Sequence, residues 1–314
     1  MRLGVLDIGS NTVHLLVADV RPGGRPLATT SQRTVLRLMR YLAPDGSITE
    51  EGVAALVQAV HEARAVAETE KVDELLATAT SAVREAENGP AVIARIEEAL
   101  GQPLQVLGGD TEARFTFLAV RRWFGWAVGQ ILLFDIGGGS LEIAAGADEL
   151  PEAAASVPLG AGRMTLRFLP DDPPGEAAVE QLRAHAKQTL APVAKTFRAL
   201  DRPDHVVGSS KAIRSLAKLV GYPAPGWSGS ERMLLPRASL GSWIPRLARI
   251  PASARQELPV ITPDRTFQIV AAAVVLHAAM QVLDVDELEV SPWALREGVL
   301  LRYIESLSWS AAPA

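Results

Sequence analysis

One short pattern occurs twice in this chain and limits what the chain can fold into. Gly4 to Val17 reads GVLDIGSNTVHLLV, and Leu132 to Ala145 reads LLFDIGGGSLEIAA. Aligned, Asp7 falls on Asp135, Gly9 on Gly137, Thr12 on Ser140 and Leu15 on Ile143. Each copy is an apolar run ending in an acid, then turn residues, then a second apolar run, which reads as strand, tight turn, strand. One copy alone says no more than hairpin, because short glycine motifs are common. Two copies with matching acid, glycine and hydroxyl positions imply a duplicated α/β unit with a shared purpose. Glycines let the backbone approach a bulky anion, and successive N–H groups in such a turn can cradle phosphate. Ser10, Asn11, Thr12 and Ser140 add donors, and Gly138 and Gly139 extend the second turn. The carboxylates Asp7 and Asp135 suit Mg²⁺, which prefers oxygen ligands and retains water.

The remaining composition narrows the classes. The chain has 314 residues, 48% of them hydrophobic, enough for a large core in two domains. The formal net charge of -5 gives no global attraction for nucleic acid or an anionic membrane, so neither is expected as a partner. With no cysteine, disulfides, thiolate metal sites and a cysteine nucleophile are excluded. Asp7 interrupts the apolar start before a signal sequence could form. The longest apolar run, Phe267 to Leu283, is broken by Gln268, His277 and Gln281 and reads as a buried helix. A cytoplasmic protein is expected.

Along the chain, the residues up to Val120 read βββαβαβα. Thr49 caps a helix that opens with Glu50 and Glu51, Pro90 starts a helix that Gly101 ends, and Asp110 is placed as the cap of the next. Thr80 to Asn88 reads as a loop. From Ile131 the strand, turn, strand pattern restarts. Helices are expected near Ala177–Leu200 and Ala212–Val220, with a strand at Asp204–Ser210. Tyr222 to Gly241, rich in Pro, Gly and Ser, reads as a loop excursion. Two helices, Phe267–Leu283 and Ala294–Leu307, close the chain around the strand ELEVS.

The doubled turn resembles the phosphate-loop pair of the actin, Hsp70 and sugar-kinase superfamily. Five further motifs follow in order: ATSAVREAEN from Ala79, GGDTEARFTFLAV from Gly108, DIGGGSLE from Asp135, PLGAGRMT from Pro158 and ALREG from Ala294. Together they resemble the exopolyphosphatase / guanosine pentaphosphate phosphatase (Ppx/GppA) family over residues 3 to about 303. SNTVHLLV, VRRWFGW and SPWALREG are similar to its short actinobacterial members. The resemblance implies two actin-like (ribonuclease H-like, ASKHA) α/β domains facing across a cleft. The first is expected over residues 1–120 with 300–314 packed back on it, the second over 121–299.

The family pattern also implies roles. Glu112 matches the glutamate that activates water, a task phosphoanhydride hydrolysis requires. Arg84 matches an arginine that binds the terminal phosphate, for which its planar fork is suited. Asp135 matches the acid that holds Mg²⁺, with Asp7 as its mate and Glu142 as a third carboxylate beside the turn; Mn²⁺ is the alternative ion. Glu142 reads equally well as a strand residue paired elsewhere. Arg163 and Lys211 are further phosphate candidates, and His14 stands where many relatives carry arginine.

The loop Gly208-Ser209-Ser210-Lys211 replaces the glycines of nucleoside-binding relatives with side chains, which favours phosphate over a purine. The expected activity is therefore a Mg²⁺-dependent exopolyphosphatase acting on inorganic polyphosphate. The end of the chain soon after ALREG points to short chains. Hydrolysis of guanosine pentaphosphate is the alternative, a non-catalytic polyphosphate or nucleotide sensor a third reading, and a kinase of the same fold a fourth. The Ala-rich helix with Trp123, Phe124 and Trp126 suggests a homodimer, or equally a domain-interface core.

Overall fold

The computed structural model describes residues 1–21, 24–226 and 231–310. The chain forms two compact units: Met1–Ala119 together with the chain from Leu295 on, and Val120–Ala294. Among the described residues, no helix is long and apolar enough to cross a membrane.

In the first unit, β1 (Arg2–Ile8), β2 (Thr12–Asp19) and β3 (Leu27–Val35) form an antiparallel meander. A 3-10 turn (Leu38–Tyr41) and α1 (Glu50–Thr69) lead to β4 (Glu74–Ala79), which pairs in parallel with β1. A one-turn helix α2 (Ser81–Arg84) and α3 (Gly89–Leu100) precede β5 (Gln105–Val106), parallel to β4. Then α4 (Gly109–Phe124) leaves the sheet, whose order is β3-β2-β1-β4-β5.

The period of two explains both faces of this sheet. Leu6, Ile8, Val13, Leu15 and Val17 pack in one cluster with Leu56 and Val60 of α1 and Ile96 of α3. Leu3, Val5, Leu16 and Ala18 point the other way and pack with Val299 and Leu300 of the terminal helix. As expected, the Thr49 hydroxyl caps α1, accepting from the Gly52 N–H at 3.3 Å, and Gly101 ends α3.

In the second unit, β6 (Ile131–Ile136), β7 (Leu141–Gly146) and β8 (Ala153–Val157) repeat the meander. Helices α5 (Ala161–Phe168) and α6 (Glu176–Arg198) lead to β9 (His205–Gly208), parallel to β6. Next come α7 (Lys211–Val220), β10 (Tyr222–Pro225), β11 (Glu231–Pro236), α8 (Arg237–Arg249), α9 (Ala252–Arg255) and α10 (Ile269–Val282). β12 (Glu287–Val290) pairs in parallel with β9. The sheet order is β10-β11-β12-β9-β6-β7-β8. Its core strands β8-β7-β6-β9-β12 match β3-β2-β1-β4-β5 in order and in sense, so the sequence repeat is the visible part of a repeated α/β unit of the expected actin-like type. α10 is buried from Ile269 through Met280 and packs on α6 and α8. α11 (Leu295–Ser310) returns to the first unit, where Tyr303 donates to the Glu74 carboxylate.

Three local expectations need correction. The Tyr222–Gly241 excursion contains β10, β11 and the start of α8; edge strands tolerate the prolines that suggested a loop, and Trp227 to Ser230 lie outside the described residues. Asp110 lies inside the first turn of α4, where its carboxylate takes Arg114 Nε at 2.7 Å, instead of capping the helix. Arg84 ends the one-turn helix α2 instead of lying in a loop. Of the three aromatic residues near residue 125, only Trp126 is exposed; Trp123 packs at a tilt against Trp293 and Phe124 against His205.

Candidate active site

The parallel strands β1, β4 and β5 end side by side, the edge where open α/β sheets place ligands. Three segments leave that edge together. After β1 comes the turn Gly9–Asn11, closed by the Gly9 N–H donating to Thr12 O at 3.0 Å. After β4 comes α2, tied to the turn by a 3.1 Å bond between the Ser10 and Ser81 hydroxyls and by the Thr80 N–H donating to Ile8 O. After β5, Leu107 N–H bonds Ala79 O and the chain enters α4, whose first turn holds Glu112.

Arg84 and Glu112 meet there. One Arg84 Nη donates to Glu112 Oε1 at 2.5 Å and to the Leu107 carbonyl, and the other lies 3.3 Å from Glu85 Oε1. The Glu112 side chain is 7% exposed and that of Arg84 24%. A buried carboxylate held by a half-open guanidinium is a charge-assisted pair with one member still able to reach an incoming anion.

Asp7 occupies the last turn-facing position of β1. Its Oδ2 lies 3.5 Å from Arg296 Nη1, while its Oδ1 is buried and has no hydrogen-bond partner. Burial pushes the Asp7 carboxyl above the usual carboxylate range, and the Arg296 charge opposes that shift. Arg296 went unassigned from sequence, although it is the arginine of the ALREG motif.

The second unit repeats the device. The Gly137 N–H donates to Ser140 O at 2.9 Å, as Gly9 does to Thr12. The register sets Asp135 opposite Glu142, as it sets Asp7 opposite His14. Each of those opposite residues is tied to a serine of the third strand: His14 Nε2 to Ser31 Oγ at 2.7 Å, and Glu142 Oε1 to Ser156 Oγ at 2.9 Å. Among the described residues, no backbone carbonyl accepts the N–H of Ser10 or Asn11, or of Gly138, Gly139 or Ser140. Both turns therefore present unspent donors, the property a phosphate cradle needs.

The other predicted residues are placed differently. Arg163, proposed as a phosphate ligand, turns its Nε onto Gly139 O at 2.8 Å, so it braces the loop. Glu142 is 4% exposed and bonded to Ser156, the paired-strand alternative of the sequence reading. Asp135 accepts the Ser209 hydroxyl. Lys211 is the first residue of α7, directly after the Ser210 cap. Among the described residues, no group of three histidine or acidic side chains forms a ready metal cage. The orphaned Asp7 Oδ1 still fits Mg²⁺, an ion that takes one or two carboxylates and fills its shell with water and phosphate oxygens.

Known proteins resemble this chain over most of its length. The model of the Ppx/GppA phosphatase family matches residues 16–307. The chain belongs to that family. Exopolyphosphatase 1 of Mycobacterium tuberculosis is 47% identical over 98% of this chain and 89% of its own length. The protein of the same name from Mycobacterium leprae is also 47% identical, over 98% of this chain and 90% of its own length. Among solved structures, an exopolyphosphatase from Cytophaga hutchinsonii aligns over 98% of both chains with a TM-score of 0.85 at 25% identity. The Aquifex aeolicus Ppx/GppA family member aligns over 100% of this chain and 99% of its own, with a TM-score of 0.78 at 25% identity. The chain is thus a phosphatase-family enzyme of the class that hydrolyses phosphoanhydrides.

Proposed function

We propose that the protein is a Mg²⁺-dependent exopolyphosphatase that removes the terminal phosphate of inorganic polyphosphate, with short chains preferred. The observation that carries the reading is the pairing of Glu112 with Arg84 beside a turn whose Ser10 and Asn11 N–H groups meet no backbone carbonyl. A terminal phosphoryl group docked on the Gly9–Thr12 turn takes the Arg84 guanidinium as a partner. Glu112, released from that contact, orients a water and accepts its proton as the water attacks the terminal phosphorus; the bond to the bridging oxygen breaks, and orthophosphate and the chain shortened by one unit leave. Asp7 would hold the ion in the first unit, and Asp135 is the corresponding acid of the second. When bound, Mg²⁺ neutralises phosphate charge and orients the chain. Gly137–Ser140, braced by Arg163, and Lys211 supply the phosphate contacts of the second unit. The names of the relatives that match most of the chain support the substrate class.

The test is phosphate release with Mg²⁺ from short polyphosphate, long polyphosphate and guanosine pentaphosphate, for wild type and Glu112→Gln. Release from polyphosphate that falls about 10²–10⁴-fold in the variant is expected. Equal rates in the two proteins would remove Glu112 as the base. Release from the guanosine compound alone would move the substrate to that nucleotide.

A further inference from the structure

Two buried polar atoms of the first unit have no hydrogen-bond partner, and both belong to one ion pair. They are Asp7 Oδ1 and Arg296 Nε, while Asp7 Oδ2 and Arg296 Nη1 lie 3.5 Å apart. The two side chains are 15% and 19% exposed. Buried polar groups are nearly always satisfied, so an orphan on each member of a pair marks a place that a further group completes. A spare carboxylate oxygen suits a cation. A spare guanidinium N–H suits a water or phosphate oxygen in that cation's shell.

The packing of α11, and not the bonds of Arg296 itself, decides where this guanidinium lies. Arg296 is the second residue of α11, whose Val299 and Leu300 bury against Leu3 and Val5 of β1 and Leu16 and Ala18 of β2. Gly298 lets α11 touch the backbone of α4: a Cβ there would lie 1.9 Å from Phe115 O and 2.5 Å from Phe115 C. Phe115 follows Glu112 by one turn of α4. One close crossing therefore fixes both the helix that carries Glu112 and the helix that carries Arg296. Further along α11, Tyr303 ties it to Glu74 at the start of β4. A side chain presented from so fixed a helix can hold a carboxylate in one orientation, as partners of metal ligands do.

We propose that Arg296 is the positioning residue of Asp7: it takes Oδ2 and leaves Oδ1 as the oxygen for the ion. The proposal rests on the reading of Asp7 as the acid that holds Mg²⁺. It makes a prediction that charge alone opposes. Removing a nearby positive charge should by itself favour a cation, whereas losing the hold on Asp7 should weaken its binding.

The experiment measures Mn²⁺ binding without substrate, from the electron paramagnetic resonance of the free ion, in wild type, Asp7→Asn, Arg296→Met, Arg296→Lys and Tyr303→Phe. A thermal melt checks that each variant is folded. Mn²⁺ affinity should fall about 10–100-fold in Arg296→Met, the loss typical when the partner of a metal ligand is removed. Arg296→Lys keeps the charge on the same helix and should bind Mn²⁺ with intermediate affinity; it carries the test if the methionine variant does not fold. Tyr303→Phe loosens the same helix without touching Asp7, so its melting point should drop while its Mn²⁺ affinity stays within about twofold of wild type. Unchanged or tighter Mn²⁺ binding in folded Arg296→Met would overturn the positioning role, the tighter result by showing that the guanidinium merely competes with the ion. An equal loss in Tyr303→Phe would assign the effect to helix docking and overturn it as well. If Asp7→Asn binds Mn²⁺ as wild type does, the reading of Asp7 as the ion's acid fails, and the role of Arg296 with it.

Discussion

Replacing Gly160 with alanine tests whether the second turn is held by close backbone packing. Gly160 stands where the Gly137–Ser140 loop meets the start of α5. A Cβ there would lie 2.2 Å from Gly139 C, 2.3 Å from Ser140 N and 2.4 Å from Gly139 N, where ordinary contact begins at 3.4 Å. Every one of these atoms is backbone, so no flexible side-chain tip can yield. Gly160 itself has φ -64°, ψ 145°, which alanine adopts freely, so the substitution adds bulk without backbone strain. The loop must move by about 1 Å, at an overpacking cost of about 1–3 kcal/mol. That movement also stretches the bonds from Gly160 N, Ala161 N and Arg163 N to the carbonyls of Gly139, Gly137 and Gly138. Loss of one such bond costs about 1 kcal/mol more. A misplacement of about 1 Å near a reacting group can cost about 10²-fold in rate. Urea denaturation should therefore show a loss of about 3 kcal/mol. Phosphate release from short polyphosphate should show kcat/KM down about 10²-fold. Gly175→Ala is the control, because a Cβ there meets nothing within 4 Å. A Gly160→Ala protein with wild-type midpoint and kinetics would refute the packing argument and the role given to this loop.

Other outcomes follow from the same contacts. Arg84→Ala should lower kcat/KM about 10²–10³-fold. It should also cost about 1–3 kcal/mol of stability by taking the Arg84 charge away from the buried Glu112 carboxylate, and Glu112→Gln in the same chain should restore much of that loss in denaturation. Asp7 has a folded pKa raised by burial, so the folded state binds its proton more tightly than the unfolded chain does. Asp7→Asn should then be inactive yet at least as stable as wild type at neutral pH. Its advantage should vanish as the pH falls through the folded pKa toward the unfolded value of about 4. His277 is lowered from 6.5 to about 4, by burial first and then by the charges of Arg183, Lys187 and Arg237. The unfolded chain binds that proton first, so stability is lost between pH 6.5 and about 4, by up to about 3 kcal/mol. His277→Leu should flatten that part of the stability profile, and an unchanged slope would show that other groups govern it.

Much of the fold was legible because the repeat carries both an alternating apolar pattern and its turn chemistry. Thr49, Pro90 and Gly101 mark helix ends through local effects that need no tertiary information. The errors arose where tertiary pairing overrides composition. Pro223, Pro225 and Pro236 read as loop, yet sit on strands at one edge of a sheet. Asp110 had the right chemistry for a cap, but the helix begins one residue earlier and the side chain is taken by Arg114. At the site, residue types were readable and partners were not. Nothing in the sequence pairs Arg296 with Asp7, residues brought together only when α11 returns to β1. Arg163 illustrates the same limit from the other side: a cation in a phosphate motif whose Nε is spent on a glycine carbonyl.

The two copies of the device share a backbone and differ in chemistry. Both close the turn with the same glycine bond, and both set a polar residue opposite the strand-end acid and fasten it to a serine of the third strand. The acids then part company. Asp7 faces a guanidinium and keeps an unspent buried oxygen, whereas Asp135 accepts a serine hydroxyl. The opposite residue is a histidine in one copy and a glutamate in the other. The turn braced by an arginine from the following helix belongs to the second unit, and the Arg84–Glu112 pair belongs to the first. A duplicated phosphate cradle alone would give two equivalent grips on a polyanion. On the proposed mechanism, a buried carboxylate held by a displaceable arginine would give that copy a means to act on what is gripped. The division expected from this asymmetry is that bond cleavage is set by the first unit and phosphate placement by the second. Damage to Gly160 should therefore weaken KM and kcat together, while damage to Glu112 should fall on kcat.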